Sequence, residues 1–389
     1  MVAMSPLKKW LVFAITSGIL VSACSGATTT PGSSASGSSA SGSAPSADLA
    51  YAQAQIDKYS ALPQFQVPGG AFNPAAAKGK SIFFLPSAST VPFCEQAAAQ
   101  MKELTDGLGM TFEVWKSQGE LSQWVQGMQQ AVQKKVDVIN LFCGLDPARI
   151  VPQIQAAKQA GIPVVASHTY AVGQEVQPDL AAIVYGAYTA ASRAMVDWVI
   201  LQTKGDANVL VITVPTTSSS TFMEAAIKDE FAKYCSSCKV DYVGVNVPDW
   251  AANIPLRVQS AITANPKLNY VIPIYDGMVQ FVVPAILASN AASRVQIATF
   301  NATPAVLDQI RTGDIVTFDV GEDTGWLAGA TVDQTLRVLL GQPLVKDYAP
   351  GLRAFTKDNV ADAGVPAKVG QGYGTAAIEG YKELWGLGN

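Results

Sequence analysis

Residues 136–166, VDVINLFCGLDPARIVPQIQAAKQAGIPVVA, decide the fold. Val136 to Phe142 is a mostly apolar run of strand length, and Ile162 to Ala166 is a second. Between them, Pro147 to Ala160 has helical spacing, with a proline at its entry and Gly161 at its end. Strand, helix and strand joined by short turns form a parallel pair with a right-handed crossover.

The same alternation continues on both sides. Upstream, Ser81 to Leu85 and Thr111 to Trp115 read as strands, and Phe93 to Leu108 and Leu121 to Lys135 as helices. Downstream the pattern starts again. Strands are expected at Ile183–Tyr185, Asn208–Val214, Val240–Val247, Tyr270–Ile274 and Gln296–Phe300. Helices are expected at 190–204, 222–234, 254–265 and 278–288. Two α/β units of similar size follow from this. Gly325 to Leu340 reads as a long helix that returns the chain to the first unit.

Composition narrows the function. The chain has 389 residues, 49% hydrophobic and only 14% charged, which supports a substantial core. A net charge of -4 gives no basic footprint for nucleic acid. A single histidine rules out a His-rich metal site and leaves little for His-dependent catalysis. No cofactor, no metal and no catalytic residue is expected.

The first 48 residues do not read as fold. Lys8 and Lys9 precede a mostly apolar run from Trp10 to Val21, too short to span a bilayer comfortably and right for a secretory signal. Val21-Ser22-Ala23-Cys24 then resembles a bacterial lipobox, which implies a signal peptide over 1–23 and a lipid on Cys24. Residues 24–48, rich in Ser, Gly and Ala, form a tether that reaches roughly 27 Å as a flexible coil. An exported body held at the outer face of the cytoplasmic membrane is the expected arrangement. With Cys24 lipidated, four cysteines remain, an even number in an oxidising compartment. Cys235-Ser-Ser-Cys238 sits between a helix and a strand and reads as a local structural disulfide, since a redox motif would open a helix. Cys94 and Cys143 are left to pair, each after a strand on the same sheet edge, although spacing alone does not fix that pairing.

In open α/β sheets, ligands bind beyond the carboxyl ends of the strands. The loops at 86–94, 142–146, 167–170, 215–223, 275–277 and 301–304 are therefore the candidates. These loops carry a resemblance. Val91-Pro92-Phe93-Cys94, Ala157 to Val165 (AKQAGIPVV) and Thr299-Phe300-Asn301-Ala302-Thr303-Pro304 are similar to stretches of the sugar-type periplasmic binding proteins that serve ABC importers, the type I, ribose-binding-protein-like class. The likeness runs from about Lys80 to Leu344. It implies two Rossmann-like lobes with parallel sheets joined by a hinge. The first lobe is expected at 80–182 plus about 321–345, and the second at 183–320 plus about 346–389, with an N-terminal extension at 49–79.

The resemblance also implies a ligand set. Phe93, Phe300 and Trp250 match aromatic walls, and Phe142 and Tyr275 join them. His168 stands where sugar binders have an Asp-Arg pair, Met223 is nearest to a second ligand arginine, Asp276 follows Tyr275 in place of Asn-Asp, and Asn301 replaces a cleft aspartate. The walls survive while the paired charges thin out, so the resemblance implies import binding more firmly than it implies sugar. Glu322 and Asp323 read as hinge-side polar groups or as solvated ones. The expected function is capture of a small molecule (a sugar, a polyol or a similar small organic) and its delivery by a monomer to an ABC permease. A ligand sensor for a membrane receptor or kinase would share the fold. Gly79-Lys80-Ser81 is no P-loop, because Pro74 stands where a glycine is required, and no G-x-S-x-G elbow occurs.

Overall fold

A computed structural model describes residues Ala47–Leu387. The expected signal peptide, the lipidated Cys24 and all but the end of the tether lie outside the described residues. Among the described residues, no helix is long and apolar enough to cross a membrane.

The Asp48 carboxylate accepts from the Tyr51 N–H at 3.0 Å and starts helix α1 (Leu49–Ser60). The first sheet has strands β1 (Ser81–Pro86), β2 (Thr111–Val114), β3 (Val138–Phe142), β4 (Val164–Ala171) and β5 (Ala182–Gly186). They lie in the order β2-β1-β3-β4-β5, all parallel. Helices α2 (Pro92–Gly107), α3 (Leu121–Lys134) and α4 (Val151–Gln159) make the crossovers. β1 and β3 are almost wholly buried, which explains their apolar runs: a parallel sheet is covered on both faces.

Helix α5 (Tyr188–Thr203) leads into the second sheet of β6 (Asn208–Thr213), β7 (Lys239–Gly244), β8 (Tyr270–Pro273), β9 (Gln296–Phe300), β10 (Val316–Glu322) and β11 (Leu352–Phe355). Its order is β11-β10-β9-β8-β6-β7, parallel except for the β10–β11 pair. Helices α6 (Ser218–Tyr234), α7 (Trp250–Ala264), α8 (Val279–Ala288) and α9 (Pro304–Thr312) complete this lobe. Leaving β11 aside, β7-β6-β8-β9-β10 repeats the order of the first sheet. Both lobes therefore reverse direction between their first and third strands, where a crevice forms.

The lobes exchange chain more often than the sequence suggests. The expected boundary at 182/183 falls inside β5, which pairs with β4 in the first sheet, so the chain crosses after Gly186. It returns after Glu322 into helix α10 (Thr324–Leu340), whose first turn is capped by Asp323. The tail beyond 346, expected wholly in the second lobe, is divided. β11 joins the second sheet, whereas helix α11 (Ala376–Leu384) packs on α10 in the first lobe. There the Trp385 Nε1–H donates to Asp333 at 2.8 Å. Gly329 makes the approach possible, because a Cβ at that position would lie 2.1 Å from the Tyr381 ring.

The N-terminal extension straps both lobes. Tyr51 stacks on Tyr234 at 3.7 Å, and Ala52 and Ile56 enter the second-lobe core. Past Ser60 the chain crosses, and Phe65 meets Trp326 and Tyr381 edge-on at 5.0 and 5.2 Å. Ala77 is buried in the first-lobe core.

Both disulfides are present, Cys94–Cys143 and Cys235–Cys238. They differ in the loop that they close, at sequence separations of 49 and 3. Loop-closure entropy gives about 4 kcal/mol for the long loop and about 2 kcal/mol for the short one. We expect Cys94→Ala/Cys143→Ala to lose roughly twice the stability lost by Cys235→Ala/Cys238→Ala in urea unfolding. Equal losses would mean that chain entropy is not the governing effect.

Candidate functional site

A cavity lies where the two crevices face each other. First-lobe strands bring Ser87, Val91, Phe93 and Cys94 after β1, Cys143 after β3 and His168 from β4. Second-lobe strands bring Thr217, Val247, Trp250, Tyr275 and Asn301, and Tyr188 comes from the crossing. Water-sized occupants have about 30 Å³ in which to centre themselves, against the roughly 10–15 Å³ that one water needs. The cleft has room for something small.

His168 occupies the middle of the wall. The sequence places it in a loop, but β4 runs on past it. Pairing with β5 is irregular between Ser167 and Ala171, and His168 takes the left-handed conformation at φ 47°. A bulge of this kind turns one side chain out of the strand's alternation. The imidazole then stands among Phe93, Phe142, Tyr188 and Phe300, at ring separations of 4.8, 5.7, 4.7 and 6.3 Å. Its Nε2 is 2.5 Å from a Glu322 carboxylate oxygen, and its Nδ1 is 2.9 Å from the Tyr188 hydroxyl. The other Glu322 oxygen accepts from the Ala187 N–H at 2.6 Å. Glu322 is fully buried, so it belongs to the hinge and is not solvated. Burial, with the nearby Tyr275 and Glu322, pushes the Tyr188 phenol well above its ordinary range and keeps it neutral.

The second-lobe wall rests on two buried acids. Asn301 and Ala302 have φ of 133° and 52°, a tight loop built without glycine. The Ala302 N–H donates to Asp319 at 3.0 Å, and the Thr303 N–H and hydroxyl donate to one Asp276 oxygen at 2.7 and 2.5 Å. The remaining oxygens, Asp276 Oδ1 and Asp319 Oδ2, have no partner. Desolvation raises Asp276 to about 7, and desolvation together with the charge of Asp276 raises Asp319 well above the ordinary carboxylate range. Gly321 lets the loop lie close, because a Cβ there would come within 2.4 Å of the Ala302 Cβ.

Among the residues singled out from sequence, Phe93, His168, Trp250, Tyr275 and Asn301 line one cavity. Phe142 and Phe300 stand behind the His168 ring instead of lining the space. Asp276 supports the Asn301 loop from beneath. Met223 is fully buried in the second-lobe core and is not a lining residue, since its face of α6 turns inward; Thr217, just ahead of that helix, lines the space instead. The lining residues not anticipated as ligand contacts are Ser87, Val91, Tyr188, Thr217, Val247 and the two cysteines. For Tyr188 a signal existed: an aromatic directly after the carboxyl end of a strand.

Comparison with known proteins places this geometry. The family model described as a periplasmic binding protein domain matches residues 82–343. Comparison with curated proteins returns no match. Solved structures with a similar fold include a sugar ABC transporter protein from Yersinia enterocolitica, at TM-score 0.69 and 15% identity, covering 81% of this chain and 98% of that one. A solute-binding protein from Agrobacterium vitis with bound allitol reaches 0.66 at 17% identity, covering 74% and 98%. A 5-methylthioribose-binding transporter protein from Thermotoga lettingae reaches 0.66 at 17% identity, covering 79% and 94%.

The buried acids make stability depend on pH. Their folded pKa values lie above the unfolded ones, so the folded state holds more protons between about pH 4 and 7. Stability attributable to them is therefore greatest below that window and declines as pH rises through it. Asp276→Asn keeps an acceptor for Thr303 and removes one charge. We expect thermal melts from pH 5 to 8 to show a falling Tm for the wild type and a flatter profile for the variant. The reverse ordering would refute this account.

Proposed function

Because the chain belongs to the periplasmic binding protein domain family, a family of extracytoplasmic binding proteins rather than enzymes, we propose that it is the solute-binding lipoprotein of an ABC importer. The observation that carries this reading is a cavity walled by both lobes at their facing crevices. A ligand there is desolvated on all sides only when the lobes are together, so occupancy favours closure. The closed body is the form presented to the permease. The fold neighbours named above support the reading, since they are transporter proteins and two have bound allitol or 5-methylthioribose.

Phe93, Tyr188, Trp250, Tyr275 and Asn301 make the ligand contacts in this proposal, with His168 setting the shape of the wall. The lipobox ending at Cys24 anchors a monomer at the outer face of the cytoplasmic membrane, and the Ser/Gly-rich tether gives the body reach. Two disulfides suit that compartment.

Two measurements test the proposal. A ligand at a hundred times its Kd adds about 2.7 kcal/mol, so one member of a library of sugars, polyols and small neutral metabolites is expected to raise the Tm by several degrees. Trp250→Ala is expected to weaken that ligand at least tenfold. A melting curve indifferent to the whole library counts against capture. Separately, Cys24→Ser should move the protein from the membrane fraction to the soluble fraction, and an unchanged membrane fraction would remove the anchor from the proposal.

A further inference from the structure

The cavity has a hydrogen-bonding inventory that points to its ligand. None of its lining residues is Asp, Glu, Lys or Arg. The polar tips of the aromatic wall are turned into the protein. The Trp250 Nε1–H donates to the Val245 carbonyl at 3.1 Å. The Tyr275 hydroxyl is 2.7 Å from Ser219 Oγ. The Tyr188 hydroxyl lies 2.9 and 2.8 Å from Nδ1 and the carbonyl of His168, whose Nε2 faces Glu322. The small hydroxyls are committed as well: Ser87 donates to the Cys143 carbonyl at 2.6 Å and Thr217 to the Val214 carbonyl at 3.0 Å. What these groups leave toward the ligand is ring surface and lone pairs.

Asn301 is the exception. Its backbone N–H donates to Val320, but its side-chain amide makes no hydrogen bond within the described residues. Among the side chains of the lining residues, it is thus the one with N–H bonds to give. The loop that carries it is held at two further points, through Asp319 and Asp276, so the amide is presented from a fixed position.

Resting on the binding-protein reading, we infer that the ligand is a small, uncharged molecule with an apolar face and one amide, carbonyl or hydroxyl group, and that Asn301 reads that group. A polyol is disfavoured by the same inventory. Each buried hydroxyl or acceptor without a partner lowers affinity roughly tenfold or more, and a sugar would bring several. A charged ligand would have no counter-ion in the wall. The ring faces of Phe93, Trp250 and Tyr275 suit a flat apolar surface.

Calorimetry on the mature chain tests this with two probe sets. One set is benzamide, nicotinamide and p-cresol; the other is allitol and L-arabinose. We expect at least one flat probe to bind at least tenfold more tightly than either polyol. Asn301→Gly keeps the unusual backbone accessible and removes the amide, and we expect it to weaken that probe about tenfold with the apo melting curve little changed. Asn301→Asp keeps the shape and replaces the donor, so carbonyl probes should be lost while p-cresol is retained. Tighter binding of allitol or L-arabinose overturns the ligand class and leaves the binding-protein reading intact. Flat probes that bind equally to wild type and Asn301→Gly overturn the role of Asn301. Silence from both sets overturns the ligand class and withdraws support from the binding reading too. Native mass spectrometry of material carried through purification is an independent test: a small neutral guest with a flat apolar face is expected, and a polyhydroxylated or charged one would overturn the inference.

Discussion

The carboxylate of Glu322 holds the arrangement together. It ends the last parallel strand of the second lobe, yet both of its oxygens are used elsewhere. One takes the Ala187 N–H at the first crossing and the other meets His168 in the first sheet. A buried carboxylate without such partners would cost several kcal/mol. With them, it fixes the two sheets at the distance that leaves a small cavity. Removing either side chain would strand the other, so the hinge and the wall of the site are one structure. The lone histidine is consumed by this task, which is why its position in the cleft does not make it a free ligand group.

A second constraint comes from the extension. Its helix, with Tyr51, is seated on the second lobe and Phe65 and Phe72 on the first, so the stretch from Ser60 to Phe65 runs between them. Arg353 reinforces the passage by donating to the Ser60 carbonyl at 3.3 Å. Relative motion of the lobes must be taken up by this stretch as well as by the crossings after Gly186 and Glu322. The number of straps sets how far such a body can swing, and this chain has added one ahead of the first strand.

The alternation of strands and helices was legible because parallel strands buried on both faces are written as apolar runs, as in β3 and β8. Two strands escaped because charged residues interrupt them. β10 reads VTFDVGE, and Asp319 and Glu322 break its pattern because one supports the Asn301 loop and the other locks the hinge. β11 is four residues long and carries Arg353. For the site, the topological rule found the loops, and the family resemblance pointed to the aromatic positions at 93 and 250. Side-chain direction was not legible: Met223 sits near the right loop on the wrong face of α6. Nor was the partnership of His168 with a residue 154 positions away. Such pairings belong to the tertiary structure and leave no local trace.

One wall of the cavity is covalent. The Cys94–Cys143 bridge joins the start of α2 to the loop after β3, and both cysteines face the space where a guest would sit. Soft, polarisable sulfur therefore belongs to the recognition surface itself, and so does the oxidation state of the surroundings. Chain expressed in a reducing cytosol would present a slack, thiol-bearing wall on a less stable body, and its selectivity would not be that of the oxidised protein.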